Sequence, residues 1–223
     1  MLDAWTSAFQ KIFRIPVLRY LGLGLLNTIY IAAGAIVLSL FFGTLLGLLR
    51  HSKNRLLSSL AAVYIEIVRN IPLTLFIMMV RFMTPLEPVL SGIAAMSIFT
   101  SAIVAEIVRG GLNGIAPGQW EAAFSQGFGP VGTMWYIIIP QAIRKIRSPL
   151  VSQFVTTIKD TSFCAIVATA ELSYSSKVLL AQQRTIGLRT AEDIIVLYLF
   201  IALIYYVITH LFASIARHEK KPV

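Results

Sequence analysis

From Leu21 through Leu49 the chain carries no charged residue. At ~1.5 Å per residue, a helix over that run outreaches the ~30 Å hydrocarbon core of a bilayer. Such a helix must tilt, or part of it must leave the core. It ends at the basic stretch RHSKNR (50–55) and is too long for a signal-peptide core. Charged residues make up 13% of the 223 positions, against about 25% in an average soluble domain. Long uncharged runs, rather than short alternating segments, predict an all-α membrane protein and argue against a β-barrel.

Five spans are predicted, at about 21–49, 56–82, 89–108, 149–170 and 191–216. The second is interrupted by Glu66, Arg69, Asn70 and Pro72, and Pro72 disfavours helix at Ile71. The fourth is interrupted by KDTS (159–162). Ahead of the spans, Leu2, Trp5, Phe9, Ile12 and Phe13 follow helical spacing with Lys11 and Arg14 beside them, which suits a helix in the membrane interface over 1–20. Gly43 and Gly47 form a small-xxx-small pair able to bring helices close. Residues 109–148 read as a loop on the membrane surface and 171–190 as a polar loop. Glu192 and Asp193 open the last span, as acids at a helix N-terminus should. Residues 217–223 form a tail.

The excess of 19 basic over 10 acidic residues would suggest nucleic acid in a soluble protein. Here the basic residues sit beside apolar spans, the pattern of loops facing anionic lipid. With a cytoplasmic C-terminus, the inner loops hold ten of them: Arg50, Lys53, Arg55, Arg109, Arg144, Lys145, Arg147, Arg217, Lys220 and Lys221. Seven fall outside: Lys11, Arg14, Arg19, Arg81, Lys177, Arg184 and Arg189. That bias predicts an outer N-terminus and a cytoplasmic C-terminus. Cys164 is the one cysteine, so an intrachain disulfide is excluded, and its apolar setting makes it a small hydrophobe. His51, His210 and His218 lie at span ends or in the tail, with no H-E-x-x-H motif, and no metal or catalytic role is assigned.

The polar stretch GQWEAAFSQGFGPVGTMWYIIIP (118–140) stands apart from this oil-loving chain. Pro117 fits a first helical turn, and Gln119 to Gln126 can form a short helix stopped by Gly127 and Gly129–Pro130. A second helix can run from Val131 towards Ile139, with Pro140 ending it. The segment resembles the EAA loop of binding-protein-dependent ABC importer permeases: Glu121, Ala122 and Ala123, three residues, Gly127, nine residues, then Ile137 to Ile139 and Pro140. Ile139 stands where that family usually has Leu. The flanks AEIVRGGLNGIAPGQWEAA (105–123), NRLLSSLAAVYIEIVRNIPL (54–73) and LVSQFVTTIKDTSFCAIVATAEL (150–172) are similar to the polar amino-acid branch, of histidine, glutamine, glutamate and arginine type. Asn70 and Ile71 replace that branch's Gly-Thr, Ser152 its Asn and Phe163 its Leu.

The resemblance implies a transmembrane importer subunit for a polar amino acid in the bacterial cytoplasmic membrane. It implies that Gly118, Gln119, Trp120, Glu121, Ala122, Ala123, Gly127 and Pro140 form a coupling helix docking on a separate ATP-binding subunit. ATP and magnesium would belong to that partner, present in two copies. The chain itself holds no G-x-x-x-x-G-K-[ST] loop and no cofactor site. A second permease subunit, identical or related, and an extracytoplasmic solute-binding protein complete the implied assembly.

Charged residues inside spans cost on the order of 3 kcal/mol or more if they meet lipid. They are expected to face a polar cavity or one another. Asp160 can meet an amino acid's ammonium, and Lys159 or Arg69 its carboxylate, with Asn70, Pro72, Gln153 and Ser162 nearby as pathway candidates. A structural ion-pair network is the alternative. Glu66/Arg69 and Glu106/Arg109 are each spaced to pair on one helix face. Neutral Gln153 gives no reason to favour a basic substrate, which leaves glutamine or glutamate. An intramembrane enzyme would need paired catalytic groups, and the chain offers no G-x-S-x-G, H-E-x-x-H or Cys–His pair. A passive channel or an exporter would not need an importer-type loop.

Overall fold

The computed structural model describes residues 2–182 and 187–218. Arg184, Lys220 and Lys221 of the charge pattern, and the tail from residue 219 on, lie outside them. Every regular element among the described residues is helical. In chain order these are α1 (Leu2–Ile12), α2 (Ile15–His51), α3 (Arg55–Asn70), α4 (Leu73–Met83) and α5 (Pro88–Asn113). Next come α6 (Pro117–Ser125), the single turn α7 (Pro130–Gly132), α8 (Ile139–Asp160), α9 (Leu172–Ala181) and α10 (Ala191–His218). A π-helical stretch, Thr133–Ile138, joins α7 to α8, and a 3-10 stretch, Thr161–Val167, follows α8.

Helices α2, α5 and α10 are long and apolar enough to cross a membrane. Two bent pairs raise the number of spans to five if each pair counts as one: α3 with α4, and residues 130–167 with α9. The first bend has a local cause. Pro72 cannot donate a ladder hydrogen bond and crowds the residue before it. Ile71 accordingly adopts φ −87° and ψ 131°, and α3 stops.

The chain divides into two compact units. The first comprises residues 1–35, 73–96 and 155–223. Here α1 packs against α10 through Ala8 and Ile12 beside Val196, Leu197 and Ile201. Lys11 Nζ donates to both oxygens of Asp193, at 3.0 and 2.9 Å. Asp193 also completes a capping box at the start of α10: its Oδ2 accepts from Thr190 N at 3.1 Å, and Asp193 N donates to Thr190 Oγ1 at 3.3 Å. A second cluster gathers Ile31, Ile77, Ile93, Met96 and Val167 around Cys164, which is fully buried. The free thiol serves there as a small core side chain.

The second unit comprises residues 36–72 and 97–154. Its close helix contact is made by the small-xxx-small pair. A Cβ on Gly43 would lie 2.6 Å from Val104 Cβ, and one on Gly47 would lie 2.7 Å from Ala105 O. On α3 the Asn54 side chain caps the helix, accepting from Leu56 N and Leu57 N at 3.0 and 3.3 Å. Tyr64 Oη donates to Ile98 O at 3.2 Å and lies 3.0 Å from Ser101 Oγ, pinning α3 to α5.

Three expectations are corrected. Pro140 does not end a helix; it lies in the first turn of α8. The π stretch before it explains how. Its wider i→i+5 pattern re-phases the backbone ahead of a residue that has no N–H to give. Pro149, expected to open a span, lies inside the same helix, at an exposed position. Residues 171–190, read as a polar loop, contain α9, because Glu171 caps it by accepting from Tyr174 N and Ser173 N at 2.6 and 2.9 Å.

Candidate functional site

The surface segment from Pro117 to Gln141 belongs to the second unit. α6 starts with Pro117 at its first position, where a missing N–H has no consequence. It stops in a Schellman geometry: Phe128 N donates to Ala123 O at 3.1 Å and Gly127 N to Phe124 O at 3.0 Å. That geometry requires a left-handed residue at Gly127, whose φ is 83°. The glycine that follows Glu121–Ala123 after three intervening residues is thus a stereochemical stop, and its spacing sets the length of the helix.

One face of α6 is anchored. Ala123 is buried, and Trp120 packs on the cluster of Leu112, Ile115, Ile138 and Ala142. Gln119 Oε1 accepts from Gln141 Nε2 at 2.9 Å, and the same amide donates to Ile137 O at 3.0 Å. Gln141 was not singled out in the sequence, where it lies just past the motif. The other face is free, with Gly118, Glu121 and Ala122 exposed. Phe124, Phe128 and Val131 are also exposed, at 49, 41 and 72%. Several apolar side chains are thus displayed together on this segment, a feature common at interaction surfaces. A cavity of about 860 Å³ opens beside them, bounded by Trp120, Glu121 and Phe124 of the loop and by Leu48, Lys53 and Asn113.

The charged residues of the spans are distributed unevenly. Arg69, Asn70, Pro72 and Gln153 belong to the second unit, and Lys159, Asp160 and Ser162 to the first. Lys159 is exposed and Asp160, the last residue of α8, half-buried. Asn70 Nδ2 donates to Glu66 O at 2.7 Å, closing the end of α3. Glu106 and Arg109 pair as their spacing implies. Arg109 Nη2 donates to Glu106 Oε2 at 2.7 Å, and its Nε donates to both oxygens, at 3.1 and 3.2 Å. The expected Glu66–Arg69 pair is corrected: Arg69 Nη1 lies 3.9 Å from Glu106 Oε2 instead. The half-buried Glu106 carboxylate is thus shared by the two arginines. Among the described residues no group of three or more His, Cys, Asp or Glu is placed to hold a metal ion.

The sequence analysis passed over Glu171 and Tyr205. Glu171 is fully buried, and Tyr205 Oη donates to its Oε2 at 2.9 Å. The signal was present as an acid in an otherwise apolar stretch just before a run that can be helical.

Comparison with known proteins agrees with this geometry. The chain is 38% identical over 205 residues to a probable glutamine ABC transporter permease protein of Bacillus subtilis, covering 90% of this chain and 92% of that one. It is 32% identical to an L-cystine transport system permease protein of the same organism, covering 85% of this chain and 82% of that one. Among solved structures, the crystal structure of an amino acid ABC transporter with histidines superposes with a TM-score of 0.81 at 27% identity, over 92% of this chain and 95% of that one. The inward-facing MetNI methionine ABC transporter shares the fold, with a TM-score of 0.74 at 17% identity, over 94% of this chain and 100% of that one. The protein is therefore a multi-pass membrane permease of the ABC importer type, not itself an enzyme. Residues 35–219 match the model of the binding-protein-dependent transport system inner membrane component, and the chain belongs to that family.

Proposed function

We propose that the chain is the translocating subunit of an importer for a polar amino acid, glutamine or glutamate first. A solute-binding protein delivers the amino acid on the outer side. Two permease subunits pair, identical or related, and two ATPase subunits drive alternating access. The observation that carries this reading is α6: a short helix with a fixed stop, one face anchored through Ala123, Trp120 and Gln119, the other bare and flanked by exposed Phe124 and Phe128. A rigid projection transmits a push that a flexible loop would absorb. Gly118, Glu121 and Ala122 form the docking face, while Gly127 and Pro140 set the loop's shape.

Solute handling is assigned to Lys159 and Asp160, with Ser162, Gln153, Arg69, Asn70 and Pro72 as further candidates on the path. An amino acid presents one positive and one negative group, and adjacent residues of opposite charge suit both. The glutamine relative supports the substrate choice, being similar over nearly the whole chain. The charge bias supports an outer N-terminus and a cytoplasmic C-terminus; a reporter fused after Val223 that fluoresces only in the cytoplasm checks this and should light up.

The coupling assignment is tested by co-purification and uptake. Glu121→Lys is expected to leave the permease folded, reduce the ATPase subunit recovered with it, and lower ATP-driven uptake by about ten-fold or more, as a charge reversal in a docking face does. Full uptake by that variant, with the ATPase still bound, removes α6 from the mechanism.

A further inference from the structure

The second unit holds a smaller cavity apart from the one beside α6. It has a volume of about 290 Å³ and is bounded by Glu106, Gly110 and Gly111 of α5 and by Lys145, Ile146 and Pro149 of α8. That volume is close to the ~300 Å³ at which small-ligand sites begin. Two glycines shape it. A Cβ on Gly111 would collide with Ile146 Cγ2 and lie 3.6 Å from Ala142 O, so the two helices touch there. Nothing lies within 4 Å of the place a Gly110 Cβ would take, so the space beside it stays open.

The walls carry groups of both signs. From α5 comes the half-buried carboxylate of Glu106, held by Arg109. Its second partner is looser: Arg69 Nη1 is 3.9 Å away, beyond hydrogen-bond reach, on a half-exposed side chain. A ligand cation can take that place. From α8 comes Lys145, whose Nζ donates to Gly114 O. Lys145 is exposed, and no acid pairs with it among the described residues. Glu106 and Lys145 thus border one space without forming an ion pair. Pro149 adds an acceptor. It has no N–H, so the Lys145 carbonyl one turn earlier lacks its usual helix donor.

A carboxylate and a carbonyl accept from an ammonium, and a lysine without an acid can take a carboxylate. A free amino acid presents both groups on one carbon. We propose that this cavity is a second binding site for a free amino acid, with Glu106 and the Lys145 carbonyl on its ammonium and Lys145 Nζ on its carboxylate. The site lies in the second unit, whereas Lys159 and Asp160 belong to the first. The ligand class rests on the reading of the protein as an importer of polar amino acids, and the test keeps the two apart.

The permease is purified with its ATPase and treated with an amine-acylating reagent. Peptide mass spectrometry then gives the extent of acylation at each lysine. The readout is the ratio of Lys145 to Lys177, an exposed lysine of the first unit, which cancels any reagent consumed by the ligand's own amine. L-glutamine at saturation is expected to lower that ratio by about five-fold or more, since only the unliganded site reacts. N-acetylglutamine lacks the ammonium and glutamine α-amide lacks the carboxylate, so each should leave the ratio nearly unchanged. Gly110→Leu fills the open space and should abolish the protection. Asp160→Asn should keep it in full.

No protection by L-glutamine in the wild-type complex overturns the second site, as does full protection in Gly110→Leu or its loss in Asp160→Asn. Equal protection by N-acetylglutamine overturns the role given to Glu106. Should Gly110→Leu fail to fold, the two analogues decide alone. Uptake is measured separately, with the complete importer offered the protein amino acids as a radiolabelled mixture. Uptake of none of them overturns the importer reading, and the ligand class with it.

Discussion

At the scale of single residues, the second unit depends on two missing side chains. Gly47 lets α2 approach α5 until an added Cβ would lie 2.7 Å from the Ala105 carbonyl and 2.8 Å from Val108 Cβ. Backbone cannot swing aside as a side-chain end can. Gly47→Ala is therefore expected to cost about 1–3 kcal/mol, read as a lowered unfolding midpoint in detergent. Gly110→Ala is the control: nothing lies within 4 Å of its Cβ, so the midpoint should hold or rise. The sequence offered Gly43 and Gly47 as a spacing alone, because a small-xxx-small pair says which helix face can approach and not what it approaches. Arg69 shows the same limit. Its i, i−3 neighbour Glu66 was visible in the sequence, whereas Glu106 reaches it from another helix, and a linear pattern carries no such contact.

At the scale of elements, the loop was the most legible part of the chain, since its signals are local. Pro117 starts α6, and Gly127 ends it with a left-handed turn. Gly127→Ala has open space around its Cβ, so its penalty is conformational, about 1–2 kcal/mol. Circular dichroism and melting should show a correctly folded, slightly weakened protein. ATP-driven uptake should fall by more than that weakening explains if the shape of the stop matters to docking. Pro140 was legible in type and misread in consequence. Proline ends an α-helix of ordinary pitch; a π stretch ahead of it changes the phase, and nothing in TMWYII announces one. α9 was hidden for a related reason. Its cap is a glutamate, a residue sequence rules place inside helices more often than before them.

At the scale of the whole molecule, hydropathy identified the spanning helices because burial in lipid is a bulk requirement that composition records directly. The division into two units was not legible, because it cuts across α2, α5 and α8 and follows contacts rather than sequence order. Lys11 and Asp193, from opposite ends of the chain, share one ion pair with Asp193 fully buried. Lys11→Met leaves that carboxylate without its cation, at a cost of about 1–3 kcal/mol given the lysine's partial exposure. Limited proteolysis should then cut around α1 first, while Asp193→Asn added to Lys11→Met restores part of the resistance.

That pairing bears on the order of events at the ribosome. The last residues of the second unit are made before α9 and α10 exist, so the residues of the part carrying the α6 projection are all present while the first unit still lacks more than half of its own. α1, synthesised first, finds its ionic partner last. A nascent chain halted before Ala191 would hold every residue of the projection and lack Asp193, the partner of Lys11.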